Sequence, residues 1–267
     1  MSDVMKARVP TAKSVSAVTV SRTEWLTPAM VRVVFAGEAV RNFPDSAVPS
    51  LGCTDTYVKL QFGGALRAYT LRSVNREAGE LVIDFVVHGD EGLAGPWAAA
   101  AKPGDSIGLV GPGGEWSPRA EADAHLLVGD EAALPAIAAS LDRLLADNPT
   151  ATALVFVEIE GAAHEYPLAS GPNVELWWIH RDGASYGERL VEAVLTAPYP
   201  DGDVEAFVHG NADMVRPVRR YLLRDHGLER AHLSASGYWR AGLTDEAWRA
   251  AKRDFYAAME SDAEGKA

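Results

Sequence analysis

Six consecutive residues, Arg67-Ala68-Tyr69-Thr70-Leu71-Arg72, bring together a permanent cation, a flat phenol ring and a hydroxyl. Read as a strand, Arg67, Tyr69 and Leu71 face one way and Ala68, Thr70 and Arg72 the other. A cation for a pyrophosphate, a flat partner for a ring system and a hydrogen-bonding group for ring nitrogens are what a flavin dinucleotide needs. The same residues also fit an exposed strand with solvated arginines, so the segment alone leaves both readings open.

A second segment, Asp84-Phe85-Val86-Val87-His88-Gly89, leads to Gly92-Leu93-Ala94-Gly95-Pro96-Trp97. The latter opens a helix, and a helix start offers free amides and a positive dipole end to phosphate. His88 at a strand end also fits a locally bonded histidine. A third segment runs from Leu127 to Ile137 as strand, tight turn and helix. Ligands bind beyond the carboxyl ends of parallel strands, which favours a nucleotide there. Its chemistry points elsewhere: one glycine, Gly129, is followed by Asp130 and Glu131, whereas a phosphate cradle wants several glycines and no carboxylates. That turn is therefore expected to approach a ribose, an amide or a flavin edge. Near the carboxyl end, Ser236-Gly237-Tyr238-Trp239-Arg240-Ala241-Gly242 puts two aromatics between glycines, after a terminal sheet strand and before a helix capped at Thr244. Adjacent aromatics there serve either as core or as a ligand platform. Arg216, Arg219, Arg220 and Arg224 share a helical face, solvated or else a landing site for an anion.

The elements that position these residues fall into two sets. Short patterned strands at Ala12–Ser21, Met30–Phe35, Asp55–Phe62, Leu66–Arg72, Glu80–Val87 and Asp105–Val110 predict a six-stranded antiparallel barrel, with a helix-like insert at Leu93–Ala101. From residue 124 apolar strands (124–128, 153–159, 174–179, 204–210) alternate with helices at about 132–146, 185–196, 211–227 and 244–259, the signature of a parallel sheet covered on both faces. The turn-rich run Gly111 to Pro118 divides them, giving domains 1–118 and 119–267, with a frayed tail after Ser261.

At 267 residues the chain is long enough for both. Its single cysteine, Cys53, excludes a disulfide framework, a four-cysteine zinc site and a protein-held iron–sulfur cluster; a buried, inert thiol is expected. A net charge of −12 argues against nucleic acid and anionic membranes as partners. Arginine outnumbers lysine 19 to 6, so local guanidinium groups must hold any anionic ligand. No apolar run is long enough to insert in a membrane, and no leader pattern stands at the amino terminus; a cytoplasmic protein is expected. The histidines show no metal-ligand spacing, and no hydrolase motif occurs.

The segment Arg67 to Arg72 resembles the flavin strand of the ferredoxin-reductase-like flavoproteins, Arg-x-Tyr-Ser/Thr. With its second arginine it is similar to the siderophore-interacting proteins, or ferric-siderophore reductases. Asp84-Phe85-Val86-x-His88-Gly89, Gly92-x-Ala94-x-x-Trp97, Gly129-Asp130-Glu131, Gly237-Tyr238-Trp239-Arg240 and Asp245-Glu246-x-Trp248-Arg249 match that family in order, from Thr27 to Phe255. Two departures stand out: Gly95 replaces a common serine, and Ala132 a usual threonine. The resemblance implies FAD as cofactor, bound by Arg67, Ala68, Tyr69, Thr70, Arg72, Asp84, Val86, His88, Gly92, Leu93, Ala94 and Trp97. Thr70 would contact the reactive flavin nitrogen, Asp130 and Glu131 would stand at the flavin edge, and Tyr238 or Trp239 at its open face. It implies NAD(P)H or reduced ferredoxin as donor and a ferric siderophore as substrate, reduced to release Fe(II). A general flavin reductase and a non-enzymatic siderophore carrier are the alternatives.

Overall fold

In the computed structural model residues 15–89 and 92–264 are described. The amino-terminal residues read for a leader, the first three residues of the expected Ala12–Ser21 strand and the last three of the tail lie outside them. The first sheet is built from β1 (Ser16–Thr27), β2 (Met30–Ala36), β3 (Tyr57–Phe62), β4 (Ala65–Thr70), β5 (Ser73–Asn75), β6 (Glu80–Val86) and β7 (Ser106–Gly113). Short helices α1 (Glu38–Arg41) and α2 (Val48–Leu51) follow β2, and α3 (Ala94–Ala100) precedes β7. The antiparallel order is β4-β3-β7-β1-β2-β6-β5. Its two outer members, β4 and β5, are separated in the chain by Leu71 and Arg72 alone. Two residues span only about 7 Å, so the sheet must roll until its edges meet. Leu71 N donates to Thr56 O at 2.7 Å and Arg72 N to Val82 O at 2.8 Å, binding the corner to both sides.

The barrel therefore has seven strands where pattern alone predicts six. The expected strand Leu66–Arg72 ends at Thr70, and the added β5 pairs Ser73 with Val82 and Asn75 with Glu80. Every second residue of β2 and β6 points into the barrel: Val31, Val33, Phe35, Leu81, Ile83 and Phe85 are wholly buried in its core.

The second sheet is parallel: β8 (Ala124–Asp130), β9 (Ala153–Ile159), β10 (Val174–His180), β11 (Val204–Asn211) and β12 (Leu233–Trp239), in the order β10-β9-β8-β11-β12. Four helices cover it: α4 (Leu134–Asp147), α5 (Glu188–Thr196), α6 (Ala212–Arg224) and α7 (Asp245–Glu264). α4 packs on one face, where its Leu134, Ile137 and Leu141 share a core with Met30 of the barrel. The other three pack opposite, around Val128, Val208, Val218 and Trp248. Two helix starts follow from side-chain caps. Asn211 Oδ1 accepts from Asp213 N at 3.0 Å, and Thr244 Oγ1 from Ala247 N at 3.2 Å. The tail after Ser261 continues α7 to Glu264.

The arginine face of α6 meets α7. Arg216 pairs with Asp262, and Arg219 donates to Met259 O and Glu260. Cys53 is half-buried, its Sγ directed to Pro49 O at 3.4 Å, and burial pushes the thiol up, so it stays protonated. Among the described residues no helix is long and apolar enough to cross a membrane, and no group of three or more His, Cys, Asp or Glu could hold a metal ion.

Candidate functional site

β4 carries the Arg67–Thr70 motif at the barrel seam, and its outward and inward faces have different surroundings. Tyr69 and Leu71 turn into the barrel core. The Tyr69 ring lies 4.5 Å from that of Phe85 and edge-on to Phe62 at 6.5 Å, and burial pushes its hydroxyl up. Ala68 is exposed. The Thr70 side chain lies beside the Tyr238 hydroxyl and weakly counters the upward push that burial gives it. Thus β12 of the second domain delivers its aromatic end to the motif strand of the first. Ser236 to Trp239 forms the end of that strand, where the sequence pattern places it after the strand.

Arg67 reaches across to α7. Nη1 stands 3.2 Å from Asp245 Oδ2 and Nη2 2.5 Å from Glu246 Oε1. Arg249 holds the same helix down by donating to Leu66 O at 2.6 Å. Arg72 turns to the opposite side and pairs with Asp142 of α4 at 2.5 Å, so the structure does not bring the two motif arginines together. Asp84 is likewise engaged elsewhere. Directly across the β2–β6 ladder, Arg32 grips it in a bidentate pair at 2.7 and 2.8 Å, and its carboxylate is fully covered. Val86 packs against the core shared by the two domains.

His88 and Leu93 are exposed beside Gly92, which has φ +78 and no atom within 4 Å of where a Cβ would stand. Ala94 is buried. A Cβ on Gly95 would meet Val86 O and Val87 Cα at 3.4 and 3.5 Å, ordinary contact that leaves room for the serine of relatives. Trp97 stacks on Phe35 at 6.1 Å and stands edge-on to Phe62, so its ring belongs to the barrel's aromatic core.

At the carboxyl ends of the parallel strands the carboxylates are bonded by protein donors. Asp130 accepts from Ala132 N at 2.9 Å, Asn211 N at 2.7 Å and Trp239 Nε1 at 2.8 Å. A Cβ on Gly210 would meet the Asp130 carboxyl at 2.6 Å, and one on Gly129 would meet Ala133 Cβ at the same distance. Glycine at both positions is thus a packing requirement. Beside them Arg181, 4% exposed, donates to Glu131 at 2.7 Å, Glu158 at 3.1 Å and Glu160 at 2.8 Å. The Tyr186 ring lies under its guanidinium at 4.2 Å and edge-on to Trp239 at 4.9 Å. Burial works against the Arg181 charge, yet the surrounding carboxylates, Glu131 first, hold it protonated. Motif reasoning does not find this cluster. Its signal is an apolar strand, Ala153–Ile159, with Glu158 inside it and Glu160 just beyond.

Two family models match the chain: "Siderophore-interacting FAD-binding domain" over residues 63–116 and "Siderophore-interacting protein" over residues 122–242. The chain belongs to the siderophore-interacting protein family. A solved siderophore utilization protein from T. fusca is 32% identical over 87% of this chain and 95% of its own, with a TM-score of 0.75. Ferric vibriobactin reductase ViuB of Vibrio cholerae is 29% identical over 85% and 90%. The NADPH-dependent ferric-chelate reductase of Escherichia coli is 32% identical over 61% of each.

The FAD-binding match spans β4 to β7, and the donor set there fits such a group. Arg67 supplies a partly accessible cation, 17% exposed. The Gly92 turn supplies open backbone with no carboxylate in the first turn of α3. Thr70 supplies a hydroxyl at the domain junction. Arg72 and Asp84, like Arg67, are engaged by protein partners, Arg72 by Asp142 and Asp84 by Arg32.

Asp130 gives the site a pH signature. Burial, followed by the charge of Glu131, pushes its carboxyl up to about 7 from an ordinary 3.8, against the pull of its three donors. Between those values the native state keeps a proton that the unfolded chain releases, so this group's contribution to stability is lost as pH rises toward 7. His209 acts in the opposite sense: burial holds it neutral down to about 3, so its contribution is lost as pH falls below its ordinary 6.5. In Asp130→Asn, denaturant midpoints measured from pH 5 to 8 should lose the falling component. A profile with unchanged slope would refute the assignment.

Proposed function

We propose that this chain is an FAD-dependent reductase of ferric siderophores, with NAD(P)H or reduced ferredoxin as electron donor, working in the cytoplasm. Residues 1–118 form the flavin-holding module and 119–267 the donor-side module. The observation that carries this reading is the junction itself. The motif strand with Arg67 and Thr70 meets the carboxy-terminal aromatic Tyr238 at the Thr70 side chain, and a family FAD-binding match covers that strand.

Bound FAD supplies electron transfer to Fe(III), and the weaker hold of a siderophore on Fe(II) then frees the metal. The chain's own residues do the rest. Arg67 binds the pyrophosphate, and the turn from Gly92 to Ala94 adds backbone amides. His88 flanks that turn, and Ala68 leaves the strand surface open for the ligand. The Thr70 hydroxyl orients the reactive ring edge. Tyr238 and Trp239 cover its open face, with Trp239 held in place by Asp130 and Glu131 held by Arg181. Tyr69 and Trp97 support the site from inside the barrel through Phe85 and Phe62. Arg72, Asp84 and Val86 act indirectly, by tying the motif to α4, to Arg32 and to the shared core.

The test is anaerobic mixing of the flavin-loaded protein with NADH, NADPH or reduced ferredoxin, followed by a ferric siderophore. Bleaching of the flavin absorbance by a donor and its recovery with appearance of Fe(II) are expected. A protein that binds no added FAD, or a reduced one whose colour no ferric chelate restores, refutes the reading.

A further inference from the structure

In the order β10-β9-β8-β11-β12, the chain runs from β8 to one side of the sheet and returns to the other with β11. An open parallel sheet binds its ligand beyond the strand ends at such a reversal. In dinucleotide sites an acid near the end of the second strand takes the free adenosine diol, whereas an arginine nearby accommodates a 2′-phosphate. Here β9 is the second strand, and the residue directly after it is Glu160. Its side chain is 52% exposed. Both bonds it receives from Arg181, 3.2 Å from Nε and 2.8 Å from Nη2, go to Oε2.

The nearby guanidinium groups are already engaged. Arg181 is enclosed by Glu131, Glu158 and Glu160. Arg189 is tied to the His180 carbonyl at 2.8 Å and to Asp182 at 3.2 Å. The arginines 216 and 219 of α6 are tied to α7. Across the reversal an independent feature points to a ligand. Asn211, 2% exposed at the end of β11, directs its backbone N to Asp130 and its Oδ1 to Asp213 N, while its Nδ2 is buried without a partner. A buried amide donor left over at the carboxyl end of β11 calls for an acceptor that the described residues do not supply.

We propose that, of the two nicotinamide dinucleotides, this chain takes NADH and rejects NADPH, with Glu160 as the specificity residue. Its carboxylate accepts from the adenosine ribose diol and repels a 2′-phosphate, and Asn211 Nδ2 donates to an acceptor of the same ligand. The proposal rests on the reading that a dinucleotide reduces the bound flavin. A phosphate dianion beside a carboxylate in a partly solvated crevice weakens binding by about tenfold or more.

Two readouts on the flavin-loaded protein test it: kcat/KM for flavin reduction by NADH and by NADPH, and Kd for NAD+ and NADP+ by calorimetry. NADH should exceed NADPH by at least about tenfold, mainly through KM, and NAD+ should bind tighter than NADP+ by a similar factor. Glu160→Gln keeps an acceptor for Arg181 and should narrow both ratios severalfold, with NADPH gaining. NADPH used as well as NADH, or ratios unmoved in Glu160→Gln, overturns the proposal. Flavin that neither dinucleotide reduces, but reduced ferredoxin does, also overturns it while the reductase reading stands. Failure to take up FAD overturns both.

Discussion

Arg67→Ala should yield a folded protein that loses its FAD on purification, with an affinity some 10- to 150-fold below that of the native chain. The range follows from about 1.5–3 kcal/mol for a hydrogen bond to a charged group. Two features push toward its upper end. The chain carries a net charge of −12, so no general field compensates for a missing local cation. The second motif arginine, Arg72, is held by Asp142 on the other side of the strand and does not substitute. The fold should survive, because Asp245 and Glu246 are surface carboxylates, 31% and 66% exposed, that water resolvates when Arg67 is gone. Flavin fluorescence titration gives the affinity, and circular dichroism reports the fold. A variant that retains FAD at native affinity removes Arg67 from the site. The companion variant at Tyr69 should be phenylalanine, since alanine would empty a core position against Phe85 and confuse binding with unfolding.

Arg181→Met should cost about 3–5 kcal/mol of stability, roughly 10 °C in melting temperature. Removal of one member of a buried ion cluster strands the others, and here two carboxylates would be stranded: Glu158, 1% exposed, and Glu131, 8% exposed. Burial already pushes the Glu158 carboxyl up, and the Gly187 amide and Arg181 are what oppose it. Without the guanidinium it takes up a proton or unfolds the strand end. Adding Glu131→Gln to Arg181→Met should recover part of the loss, because one uncompensated charge disappears. Thermal and denaturant unfolding of the two variants measure both effects. A single variant that melts within a degree or two of the native protein would show that the cluster contributes nothing net.

The two predictions come from residues of unequal legibility in the sequence. Arg67, Thr70 and Tyr238 stand in short patterned segments, so their local neighbours announce a role. The division into barrel and parallel sheet is legible for the same reason, through alternation in one half and near-continuous apolar strands in the other. The partners are not legible. Asp84 meets Arg32 from 52 positions away, and Arg181 meets Glu131 across 50. Such pairings follow from strand order, which has no period in the sequence. β5 escapes notice because three residues, two of them polar, carry no pattern. Arg72 continues the pattern of the strand, yet its amide donates to Val82 O. The residues that tune the site are therefore those that pattern reading assigns least well.

The attachment of α7 to β4 also bears on the order in which the molecule is made. Arg67 and Glu246 are separated by 179 positions. At about 5–20 residues per second, a ribosome needs roughly 10 to 35 s to travel between them. In the later part of that interval, after Gly113 ends β7, the rolled sheet is complete while its seam strand stands without the helix that later covers it. Flavin has that window to reach Arg67 before any carboxylate competes for it, so cofactor loading and chain elongation can overlap.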